Sequence, residues 1–134
     1  MIKTLIYCDG GALNNQDPEK REGYGSFLVT KEACPNHMDG LVTRQNFLYG
    51  IGVTNNVAEY KTLLKALDYC VNEFIAEATI FMDSELVVEQ VHGTFKTKDV
   101  HLKPLMEQAV KDIELIGAKL EKIPREIMVA VLGH

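Results

Sequence analysis

The chain is 134 residues long, 46% of them hydrophobic and 25% charged, with a formal net charge of −5. That length holds one domain around one core and leaves no room for a second catalytic domain; no apolar run approaches the roughly 18–20 residues of a membrane span. The negative balance excludes a protein that grips nucleic acid through overall positive potential, so any such binding must come from local geometry.

Residues 3–9, KTLIYCD, read as a short apolar strand ended by the turn signal Asp9-Gly10-Gly11. The opening MIKTLIYCDGG is too short and too soon acidic for a secretory signal, so the expected compartment is the cytoplasm. After the polar excursion LNNQDPEKRE, a second strand, GYGSFLVT, begins at Gly23. The connection KEACPNHMDG leads to LVTRQNFLYGIG, whose alternation predicts a third strand antiparallel to the second. Thr54 is a good N-cap, and Val57, Leu63, Leu64, Leu67, Cys70, Val71 and Phe74 fall at helical spacing, which predicts a helix from Asn55 to about Ile75. ATIFMD is a short buried strand, and SELVVEQVHG a helix capped by Ser84 and stopped at Gly93. VHLKPLMEQAVKDIELIG is a longer helix ending at Gly117, AKLEKIP a fifth strand, and PREIMVAVLGH a final helix started by Pro124. The predicted order is β-β-β-α-β-α-α-β-α. Cys8, Cys34 and Cys70 have no metal-ligand spacing; Cys8 and Cys70 lie in apolar periodic segments, as buried free thiols do.

Three carboxylates stand out: Asp9 closing the first strand, Glu59 early in the first long helix, and Asp83 closing the fourth strand. Any one of them could be a solvated turn or cap acid. Together, each beside an apolar segment and followed by turn or cap residues, they suit a divalent cation such as Mg²⁺, which binds hard oxygens and keeps part of its shell open for phosphate oxygens. Metal-dependent phosphodiester chemistry is the expected function, with weak nucleic-acid binding when metal is absent.

The motifs YCDGGALNN, TNNVAEYKTLLKAL, FMDSELVVEQVHGTFKTK and IPRE, in this element order, resemble type 1 ribonuclease H over essentially the whole chain. The resemblance implies an α/β, ribonuclease H-like fold: a five-stranded mixed sheet, its first three strands antiparallel, flanked by helices, with strand one between its hairpin partner and strand four. It implies that Asp9, Glu59 and Asp83 hold two Mg²⁺ or Mn²⁺ ions, Asp9 bridging them, for hydrolysis of the RNA strand of an RNA/DNA hybrid. Two ions about 4 Å apart stabilise both the attacking and the leaving oxygen of an in-line displacement. Gly11 and Ala12 (through their backbone), Asn15, Asn55 and Asn56 occupy the places that meet the RNA sugars. The alternative for Asn55 and Asn15 is a helix cap and a turn former. Lys96 and Lys98, beside Phe95, offer a modest handle on the DNA strand or are ordinary surface lysines; the resemblance is to short forms without a large basic protrusion. His92, His101 and His37 are read as surface residues.

The family carries a fourth acid early in its last helix, and the sequence departs from it there: Met128 stands for an Asn, Leu132 for the acid, and no Asp or Glu follows Glu126. Three readings stay open. His134 supplies the fourth ligand, which would favour Mn²⁺; three acids and a water suffice, with reduced activity; or catalysis is lost and a non-catalytic hybrid-binding domain remains. The last helix looks cut short in a single domain spanning residues 1–134.

Overall fold

A computed structural model of the chain describes residues 3–31 and 40–133. The elements follow the expected order: β1 (Thr4–Leu13), β2 (Glu22–Lys31), β3 (Leu41–Ile51), α1 (Asn55–Asn72), β4 (Thr79–Met82), α2 (Glu85–His92), α3 (Lys103–Ile116), β5 (Lys119–Lys122) and α4 (Arg125–Leu132). They form one five-stranded mixed sheet in the order β3-β2-β1-β4-β5. β1 pairs antiparallel with β2 and parallel with β4, β2 antiparallel with β3, and β4 parallel with β5.

The first strand departs from the sequence reading. β1 does not turn at Asp9-Gly10-Gly11 but runs on to Leu13, with Gly10 opposite Gly25 and Gly11 opposite Tyr24. Gly10 has a steric reason to be there: a Cβ would stand 2.6 Å from the Ala58 carbonyl oxygen and 2.8 Å from Glu59 Cα. The glycine lets helix α1 press onto the strand, which is a strand-interior use of glycine rather than a turn.

α1 starts where expected, with the Thr54 hydroxyl accepting from Val57 N–H. It stops at Asn72, short of Ile75: Ile75 N–H returns to the Cys70 carbonyl and Phe74 adopts a left-handed φ of 54°, a Schellman-type ending on a residue other than glycine. α2 is capped by Ser84 on Val87 N–H and closed by left-handed Gly93. The core lies between the sheet and the helices, with Ile6, Cys8, Phe27, Tyr60, Leu63 and Ile80 fully buried. Inside it the Tyr60 hydroxyl donates to Gln90 Oε1 at 2.7 Å, so α1 and α2 are tied by a satisfied buried polar pair. Cys8 and Cys70 are buried free thiols, and burial pushes both pKa values up. Cys34 and His37 lie outside the described residues. No described helix is long and apolar enough to cross a membrane.

Candidate active site

The topology delivers the acids to one place. β1 and β4 run parallel with Tyr7 opposite Phe81, so two residues further along, Asp9 and Asp83 come side by side on one sheet face. Asp9 projects from the middle of β1, whereas Asp83 follows the end of β4, as expected. Glu59, one turn further into α1 than the cap, descends between them because Gly10 admits the helix. A cavity of about 420 Å³ opens here, lined by all three acids together with Gly11, Asn56 and Ser84.

Burial sets the chemistry of these acids. Asp9 is 2% and Glu59 6% exposed. Desolvation, opposed by a hydrogen bond from Ser84 and reinforced by Asp83 and Asp9, raises the Glu59 pKa from 4.5 to about 7. An acid merely favoured by the helix dipole would be exposed and unstrained; Glu59 is neither. Because the folded state holds the Glu59 proton up to higher pH than the unfolded chain does, stability falls as pH rises from about 4.5 to 7 and stays lower above that window. The isosteric, non-titrating Glu59→Gln is therefore expected to raise the metal-free Tm at pH 8, with a gain on the order of 3 kcal/mol, and to change it little near pH 4.5. Thermal unfolding at the two pH values checks this; an equal effect at both would place the strain elsewhere.

The sequence reading assigned Arg125 no role. From the first residue of α4, its Nη1 donates to Asp83 Oδ2 at 2.7 Å and to Asp9 Oδ2 at 3.1 Å. The guanidinium is raised further in pKa, first by its hydrogen bond to Asp83. One signal was available: an arginine in the first turn of a helix faces the positive end of the dipole and needs an acidic neighbour.

Among the described residues, no three His, Cys, Asp or Glu side chains form a ready-made metal cluster. The donor set nevertheless fits a hard divalent cation. Two carboxylate oxygens already converge on one cationic nitrogen, and the third acid lies beside them with its pKa raised by desolvation, an environment that added positive charge would relieve. Arg125, with its side chain 55% exposed, can withdraw from this point.

The other predicted residues fall in three groups. Gly11 and Asn56 line the acidic cavity with Asn55. Asn15 and Asn55 are engaged within the protein: Asn15 Oδ1 accepts from Asn55 N–H at 2.9 Å, and Asn55 Oδ1 accepts from Ala12 N–H at 3.2 Å. Lys96 and Lys98 are exposed on the loop between α2 and α3, away from the acidic cavity lining. His134 lies outside the described residues. In α4, Met128 is fully buried and Leu132 is 2% exposed, so the position expected to bear the fourth acid is part of the apolar packing.

Two histidines do more than the sequence suggested. His92 Nε2 lies 2.7 Å from the Leu120 carbonyl oxygen and ties the end of α2 to β5. His101 joins Arg21, Lys61 and Thr54 around a second cavity of about 620 Å³ at the start of α1, where Asp99 also contributes. Arg21 Nε is buried there without a hydrogen-bond partner among the described residues. These basic residues are separated in sequence by tens of positions, so no local motif announces them.

The RNase H family model matches residues 2–132. "Bifunctional protein Rv2228c" of Mycobacterium tuberculosis (strain ATCC 25618 / H37Rv) is 39% identical over 109 residues, which are 81% of this chain and 27% of that protein. The chain thus spans about a quarter of the length of the curated relatives it matches. Among solved structures, the N-terminal RNase H domain of rv2228c from Mycobacterium tuberculosis, a fusion with maltose binding protein, superposes with a TM-score of 0.81 at 31% identity, covering 97% of this chain and 88% of that one. LC11-RNase H1 in complex with an RNA/DNA hybrid superposes with a TM-score of 0.77 at 28% identity, over 96% of this chain and 90% of that one.

Proposed function

The chain belongs to the RNase H family, and on that premise we propose that it is a metal-dependent endonuclease that hydrolyses the RNA strand of RNA/DNA hybrids. The observation that carries this reading is the convergence of Asp9 and Asp83 on a single cationic nitrogen, at 3.1 and 2.7 Å, with buried Glu59 beside them. The likeness to a relative solved with a hybrid supports the substrate class.

Asp9, Glu59 and Asp83 would hold the two ions, Mg²⁺ or Mn²⁺, and His134 is the candidate for a fourth ligand. When bound, the ions supply Lewis-acid stabilisation of the phosphate oxygens and a more acidic water. The chain's own contribution is to keep three acids dry and close, so that they demand divalent charge. Arg125 serves as their counter-ion until that charge arrives, and its exposure lets it turn to a substrate phosphate afterwards. Gly11 and Asn56 line the same cavity and would meet the RNA sugar edge, where the 2′-hydroxyl distinguishes RNA from DNA. Arg21 and Lys61 at the neighbouring cavity, and Lys96 and Lys98 on the exposed loop, provide local positive charge that the net balance of −5 conceals.

Incubating labelled hybrid, double-stranded RNA, duplex DNA and single strands with Mg²⁺ or Mn²⁺ tests the reading: cleavage confined to the RNA of the hybrid is expected, and cleavage of none of them overturns it. Lys96→Ala with Lys98→Ala is expected to weaken hybrid binding and to reduce its salt slope by about one to two phosphate contacts. Arg21→Ala with Lys61→Ala should act in the same direction, and an unchanged slope would make either pair a bystander. A second reading, a catalytically weakened or inactive hybrid-binding domain, is favoured by one observation, the burial of Leu132 where a fourth acid is expected. Hybrid binding without turnover selects it.

A further inference from the structure

We propose that Tyr60 and Gln90 are positioning residues for the acidic site: their buried hydrogen bond sets where Glu59 stands relative to Asp83. The inference rests on the ribonuclease H reading and deepens it.

Glu59 is carried by α1, and Asp83 leads directly into α2 through the Ser84 cap. The spacing of these two acids is therefore the spacing of two helices. α2 has only eight residues, too few to hold a position of its own, so its neighbours must place it. Its buried residues are Val87, Val88 and Gln90. The two valines fit any apolar wall, and contacts of that kind tolerate sliding and rotation. Gln90 is different. The Tyr60 hydroxyl donates to its Oε1 at 2.7 Å, and both residues are buried. Such a pair has one satisfied arrangement, because a displacement leaves two polar groups with neither water nor partner.

Tyr60 follows Glu59 directly in the chain, so the bond is anchored one residue from the acid it places. The Ser84 hydroxyl hydrogen-bonds Glu59 itself. Consecutive residues of α1 thus grip α2 at two points, Ser84 and Gln90, about 9 Å apart along its axis. One point would be a pivot; two fix a direction. The remaining polar tie of α2, from His92 to the Leu120 carbonyl, runs to β5 and leaves the relation between α1 and α2 to this grip. Stability alone does not ask for a polar pair here, since apolar groups of the same shape would fill the space about as well.

That difference supplies the test, made on the full chain with Tyr60→Phe, Gln90→Met and the double variant. Each single change strands the other partner's polar group in the core and is expected to lower Tm by roughly 5–10 °C. The double change removes both groups and should recover most of that loss. Mn²⁺ affinity by calorimetry, and kcat and KM on labelled hybrid, are read at a temperature where the far-UV circular dichroism of each variant matches wild type. All three variants are expected to bind Mn²⁺ about tenfold more weakly, with kcat lower by a similar factor and KM nearly unchanged, as when an acid is displaced from its place around a metal. The decisive case is the double variant, stable again yet still weak toward Mn²⁺. Its Mn²⁺ affinity decides whether or not Tm recovers. A double variant with wild-type Mn²⁺ affinity and kcat, or single variants that lose Tm alone, would overturn the proposal and leave the pair as core packing. Failure of the ribonuclease H reading itself shows differently, as a wild-type protein that neither binds Mn²⁺ nor cleaves hybrid.

Discussion

Asp9→Asn is expected to leave a folded protein whose cleavage of hybrid is slower by about three orders of magnitude or more, roughly 4 kcal/mol of transition-state stabilisation. The substitution preserves shape and removes one of the two carboxylate oxygens that converge on the cation position. It also removes a like charge from beside Glu59, whose pKa is raised first by desolvation and further by Asp83 and Asp9, while Asp83 keeps its shorter contact to Arg125. The metal-free Tm should accordingly stay level or rise. What should vanish is the increase in Tm on adding Mg²⁺ or Mn²⁺, because a ligand stabilises only the state that binds it. Calorimetry with and without divalent ion, beside a single-turnover cleavage assay, separates loss of the site from loss of the fold. A variant that is inactive because it unfolds, or one that still cleaves at the wild-type rate, would defeat the assignment of Asp9.

The fold and the three acids were legible in the sequence for a definite reason. Thr54 and Ser84 carry caps immediately ahead of apolar periodic runs, and TNNVAEY and DSELVVEQ bind Glu59 and Asp83 each to such a cap, so for these two acids secondary structure and chemistry are written in the same few residues. What was not legible depends on packing across the chain. Asp9-Gly10-Gly11 carries the local signature of a turn, yet it continues as strand because Gly25 and Tyr24 pair with it and because α1 needs the space. Local turn chemistry lost to a tertiary contact. Arg125 and the basic cavity escaped for a similar reason: Arg125 lies 116 residues from Asp9 in sequence, and the cavity draws Arg21, Lys61 and His101 from three unrelated segments. The double use of Asn55 as acceptor to Ala12 N–H and donor to Glu59 is likewise invisible until the turn and the helix are brought together.

Gly10→Ala is expected to be the most damaging single-methyl change near the site, and it tests the packing account directly. A Cβ at position 10 would meet the Ala58 carbonyl oxygen at 2.6 Å, the Ala58 carbonyl carbon at 2.7 Å and Glu59 Cα at 2.8 Å, all of them backbone atoms of α1. None can rotate away, so the helix must retreat by roughly 1 Å to restore ordinary contact distances. Overpacking of this kind costs about 1–3 kcal/mol, seen as a lower Tm. The retreat carries Glu59 with it, since its own Cα is among the atoms displaced, and a misplacement of about 1 Å at a reacting centre costs on the order of 10²-fold in rate. Gly11→Ala provides the contrast. There the nearest atoms are the Tyr24 hydroxyl at 2.7 Å and Asn55 Oδ1 at 3.2 Å, ends of side chains that can shift while the helix stays put. It should cost less stability and act chiefly on the Asn55 contact. Measuring Tm, divalent affinity and kcat for both variants decides the matter: equal losses at the two positions would mean that α1 is not seated on Gly10, and that the approach of Glu59 to Asp9 is set by some other contact.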